Sequence, residues 1–132
     1  MEQKPKAWLY CHTEVADDSM RILQYQRRQL LFYARQLEAE IIGCSNDSGN
    51  FPVMNRSGFR FFLAQAKRTH IQALFIISPE AVANTRKQWG EFVNMMQSMK
   101  MEVFSPSTGC IISLQKESID THQNCVCSEN KI

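Results

Sequence analysis

His12, Thr13, Glu14, Asp17 and Asp18 follow directly on the apolar run 7–11. Their types are those of acid/base, nucleophilic and metal chemistry. If the run is a strand, its alternation puts His12 and Glu14 on one face and Thr13 on the other, so no Thr–His relay forms between neighbours. His12 and Glu14 could share a metal, yet the other histidines, His70 and His122, do not stand at ligand spacing. Cys125 and Cys127 present two thiols without the second pair that a four-ligand zinc site uses. The stretch "NDSGN" at 46–50 holds one glycine and no following Lys-Ser/Thr, so it is not a phosphate-cradling loop. The residues therefore imply no metal and no other cofactor.

The elements that must position this cluster alternate in type. "AWLYC" at 7–11 reads as a buried strand, and "ADDS" at 16–19 offers Ser19 or an Asp to cap a helix from about Met20 to Ala39. Leu23, Leu30, Ala34 and Leu37 share one side of that helix. "AEIIGC" at 39–44 is a second strand, and the Ser, Asn, Gly and Pro content of 45–58 marks a long loop. A second helix begins at Ser57, its cap, with Phe59, Phe62, Leu63 and Ala66 on one face. "ALFII" at 73–77 is apolar on both faces, as suits a strand covered by helices on both sides. Ser78 and Pro79 then open a third helix whose stripe is Val82, Trp89, Phe92, Val93 and Met96. "MEVFSP" at 101–106 is a fourth strand, and "CIISL" at 110–114 adds a last one.

This βαβαβαβ order predicts an α/β fold, a three-layer α/β/α sandwich around a mostly parallel sheet of four to five strands. A chain of 132 residues with 44% hydrophobic residues forms one domain, placed at 1–115, with a disordered polar tail at 116–132. No run reaches the ~20 apolar residues of a membrane span. The first residues lack a signal-peptide pattern, so the protein is expected to be soluble and cytoplasmic, without a membrane partner. The odd cysteine count of 5 then favours free thiols. A net charge of +2 does not announce a nucleic-acid binder. Arg27 with Arg28, Lys67 with Arg68 and His70, and Arg86 with Lys87 are short basic groups of the kind that usually face solvent.

Taken in order, these landmarks resemble the N-terminal catalytic domain of the serine recombinases, the resolvase/invertase family, over about residues 7–106. The family's opening strand ends in Tyr-x-Arg-Val-Ser, where this chain has Tyr10-Cys11-His12-Thr13-Glu14. The helix pattern Leu-x-x-Gln-x-x-x-Leu-x-x-Tyr-Ala is Leu23, Gln26, Leu30, Tyr33 and Ala34. The loop's Asp-x-Gly is Asp47-Ser48-Gly49, and Arg-Pro-Gly-Leu is matched by Arg56-Ser57-Gly58-Phe59. The resemblance implies a resolvase-like fold, DNA as a partner, and self-association or pairing with an active recombinase.

It also locates the chemistry, which is attack of a serine hydroxyl on a DNA phosphodiester with arginines neutralising the phosphoryl oxygens. Glu14 stands at the nucleophile's position and His12 at the preceding arginine's. Asn50 replaces a loop serine, and Ala81 and Asn84 fall where the third-helix arginines belong. Asp47, Gly49 and Arg56 are retained. Loss of an activated nucleophile costs about 10⁶ in rate. An ionised Glu14 about 4 Å from a phosphate charge adds a repulsion of roughly 4 kcal/mol at an effective dielectric of 20. Thr13 cannot replace the serine unless the strand ends one residue early. The 26 residues after Pro106 carry no helix-turn-helix pattern. The expected function is thus a catalytically inactive recombinase-like interaction or regulatory module linked to DNA recombination. The alternatives are an active or altered site-specific recombinase using Thr13, and a weak nonspecific nucleic-acid binder acting through Arg27, Arg28, Arg56, Lys67 and Arg68.

Overall fold

The first strand runs past its apolar core. In the computed structural model, which describes residues 4–15, 17–106 and 110–111, β1 spans Lys6–Thr13 and is buried from Ala7 onward. It lies inside a sheet of order β2-β1-β3-β4-β5, with β2 at Glu40–Ser48, β3 at Ala73–Phe75, β4 at Glu102–Ser105 and β5 at Cys110–Ile111. The first four strands are parallel and β5 is antiparallel to β4. Helix α1 (Ser19–Gln36) covers one face, while α2 (Ser57–Thr69), α3 (Pro79–Val82) and α4 (Arg86–Ser98) lie on the other. This is the α/β/α sandwich expected from the βα alternation. The polar tail 116–132, with His122, Cys125 and Cys127, lies outside the described residues.

Strand alternation divides the core in two. Ala7, Leu9 and Cys11 pack with Leu23, Leu30 and Ala34 of α1, and Ala73 and Phe75 of β3 join them. Trp8 and Tyr10 point the other way, into Phe59, Phe62, Trp89, Phe92 and Met96 of α2 and α4. The same alternation, continued past Cys11, sets His12 and Glu14 on the α2/α4 side and Thr13 on the α1 side.

Four details depart from the sequence reading. β2 runs to Ser48, so the long loop shrinks to 49–56 and contains a 3-10 turn at Val53–Asn55. Its polar residues are an edge strand's, and they have partners: the Ser45 hydroxyl accepts from Trp8 Nε1 at 3.0 Å and donates to the Gly58 carbonyl at 2.8 Å. α1 stops at Gln36, because Glu38 takes the left-handed conformation (φ 58°), and Leu37 is left 43% exposed. The expected third helix is two, since Ala83 and Thr85 are extended and Thr85 Oγ1 caps α4 by accepting from Gln88 N. Ser57 is the first residue of α2 rather than its cap; that role passes to Asp47 of the neighbouring strand.

Candidate functional site

In open α/β sheets, ligand sites form beyond the carboxyl ends of the strands. Here that end gathers β1, the end of β2 with the loop after it, the start of α2, and the α3–α4 junction. Three local devices build it. The Asp47 carboxylate accepts from Gly58 N at 2.7 Å, Phe59 N at 3.0 Å and Tyr10 Oη at 2.8 Å, satisfying free N–H groups at the start of α2 from outside the helix. Gly58 is required there, since a Cβ would lie 2.7 Å from Asp47 Oδ2 and collide with the Asn46 carbonyl. Gln26 of α1 pairs both its amide atoms with the backbone of His12, N and O, at 3.0 Å each. The amide takes the place of a neighbouring strand where β3 no longer pairs with β1, which it does only through Leu9.

His12 is 4% exposed and its Nε2 lies 2.9 Å from the Gly49 carbonyl oxygen. The Ala81 carbonyl faces the ring as well. Burial first, then the positive charge of Arg56, holds the imidazole below its ordinary pKa, against the opposing pull of both carbonyls and Glu14. Arg56 is itself 5% exposed: its Nε donates to the Phe51 carbonyl at 2.8 Å, and Nη1 to the Ala81 carbonyl at 3.3 Å and Tyr10 Oη at 3.5 Å. Burial keeps the Tyr10 phenol far above its usual range, so it remains a donor to Asp47. At the rim, exposed Glu14 accepts from Asn84 Nδ2 at 3.2 Å, which links the end of β1 to the α3–α4 junction.

The structure thus brings together His12, Glu14, Asp47, Gly49, Arg56, Ala81 and Asn84. Asn50 is exposed beside Gly49 in the loop. Thr13, still within the strand, turns its hydroxyl away and accepts from Val15 N at 3.1 Å. Two participants went unassigned at the sequence level, Tyr10 and Gln26. Both stand in the motifs quoted above, and Tyr10 was further signalled by sharing the alternation of His12 and Glu14. The cations expected to bind DNA do not form one surface. Arg56 is buried, Arg27 and Arg28 are exposed on α1, and Lys67 and Arg68 sit at the far end of α2 in the opposite layer. Among the described residues no three His, Cys, Asp or Glu side chains gather as metal ligands, and no helix is long and apolar enough to cross a membrane.

Chemically, the cluster holds an imidazole set between carbonyls, an arginine committed to neutral acceptors, and a carboxylate at its exposed rim. Neither a protein-family model nor a curated sequence matches the chain. Solved structures do. A resolvase family site-specific recombinase from Streptococcus pneumoniae superposes with a TM-score of 0.68 over 96% of this chain and 85% of its own, at 16% identity. The N-terminal catalytic domain of TP901-1 integrase gives 0.65 over 80% of each chain at 11% identity. The C-terminal catalytic domain of ISC1926 TnpA, an IS607-like serine recombinase, gives 0.65 over 76% of this chain and 69% of its own at 13% identity. The fold is therefore that of an α/β catalytic domain, and specifically the resolvase-like fold of serine recombinase catalytic domains.

Proposed function

We propose that the chain is a resolvase-like module linked to DNA recombination that associates with another copy of the fold, its own or an active recombinase's, and does not itself cleave DNA. The observation that carries this reading is the pair Glu14–Asn84 at the exposed rim of the cluster. A carboxylate and an amide occupy positions where the resemblance calls for a nucleophilic hydroxyl and a cation, and they hold each other. Arg56, the retained arginine, supports the reading too, because its guanidinium is directed to the Phe51 and Ala81 carbonyls and to Tyr10 instead of outward. The altered-recombinase alternative needs the Thr13 hydroxyl in this cluster, and the strand's alternation sets it on the other face. Sizing the purified chain alone, with DNA and with an active serine recombinase tests the partner reading: a homodimer or mixed complex is expected, and a strict monomer that ignores both would refute it.

A further inference from the structure

The helices α2 and α4 run antiparallel to the strands, so their C-terminal ends meet at the amino edge of the sheet, the end opposite the cluster. Between them lies a groove of about 500 Å³, lined by Lys67, His70 and Lys100 at its walls and by Ala66, Ile71 and Met99 at its floor. His70 and Lys100 both take the left-handed conformation that ends their helices (φ 57° and 55°), and with Lys67 all three are exposed. We propose that this groove binds an acidic, partly apolar peptide segment of a protein partner.

Charge decides for an anionic occupant. Two helix C-termini contribute about −0.5 each, which leaves Lys67, Lys100 and the adjacent Arg68 with a surplus of about two positive charges. No carboxylate lines the groove among the described residues. Glu102 heads the nearby strand β4, but its neighbours Met101 and Val103 point into the α2/α4 core, so alternation turns Glu102 to the α1 side. The floor decides for a peptide over a nucleic acid. Its aliphatic and thioether groups suit apolar side chains set between carboxylates, and the only ring among its lining residues is the exposed His70 imidazole, with no Phe, Tyr or Trp to stack successive bases.

The test is a fluorescence-anisotropy titration of the full chain with a fluorescein-labelled decapeptide of alternating glutamate and leucine, and with a labelled oligothymidine as the nucleic-acid probe. Saturable peptide binding is expected, weakened about tenfold or more by Lys67→Glu with Lys100→Glu and unchanged by Arg60→Glu, an equal charge change per site elsewhere on α2. Thermal unfolding verifies that the variants are folded. If the double reversal does not fold, the neutral changes Lys67→Gln and Lys100→Gln are read instead, each expected to weaken binding about threefold. Absence of peptide binding, affinity within about twofold of wild type in the folded variants, or a reversal that abolishes oligothymidine binding and spares the peptide would each overturn the proposal.

Discussion

Replacing Asp47 by alanine removes the one carboxylate that ties β1, β2 and α2 together. Two backbone N–H groups at the start of α2 lose their acceptor, which at a helix cap costs about 0.5–2 kcal/mol. The Tyr10 hydroxyl, in a residue 1% exposed, loses a charged acceptor that no bulk water replaces, a loss of about 1.5–3 kcal/mol. Allowing for shared relaxation, Asp47→Ala should cost about 3–4 kcal/mol, equivalent to a fall of roughly 10–20 °C in Tm for a domain of this size. Asp47→Asn keeps one acceptor oxygen but sets an NH2 donor where the other oxygen accepts, and gives up the charge–dipole attraction, so about 1–3 kcal/mol is expected. Urea unfolding followed by the fluorescence of buried Trp8 and Trp89 measures both, with an unchanged m-value showing that the same surface is exposed. A loss below about 1 kcal/mol for the alanine variant, or equal losses for the two variants, would refute the role assigned to this carboxylate.

Further predictions concern the neighbours of that carboxylate. His12 is held neutral in the folded chain, so the unfolded chain binds more protons just below pH 6.5. Stability should fall as the pH drops through that value and level off below the folded-state pKa. The stability advantage over His12→Gln should shrink on acidification from pH 7.5 to 5, and a constant or growing difference would contradict it. Gln26→Ala leaves the His12 N–H and carbonyl at the end of β1 without their partners and should cost about 1–3 kcal/mol by urea unfolding. Burial pushes the Cys11 thiol up to about 12, with Cys44 adding to the shift and Arg27 opposing it, whereas Cys44 is exposed. Mass-mapped alkylation at pH 7.5 should label Cys44 well before Cys11.

Much of this was legible in the sequence because it rests on periodicity. The alternation that buries Trp8 and Tyr10 against α2 and α4 also puts His12 and Glu14 on the side of the cluster and Thr13 on the other, and the apolar stripes of the helices found their cores. Ser78 and Pro79 marked the start of α3 correctly. What escaped was governed by tertiary contacts. The polar end of β2 reads as a loop, yet pairing with β1 as far as Thr13–Ser48 keeps it a strand. The α3–α4 break is invisible to a continuous apolar stripe, because Val82 and Trp89 stay buried on either side of the Thr85 cap. Motif position picked out Arg56 and Asp47, but not that the first also reaches the Ala81 carbonyl 25 residues on or that the second caps α2 from β2, contacts that bring separate elements together and leave no local pattern.

As proposed, this resolvase-like chain does not itself cleave DNA. The most direct measurement is a denaturing gel of the full chain after incubation with supercoiled and nicked DNA. No covalent protein–DNA species is expected for the wild-type chain. A covalent adduct, above all one abolished by Thr13→Ala, would contradict it.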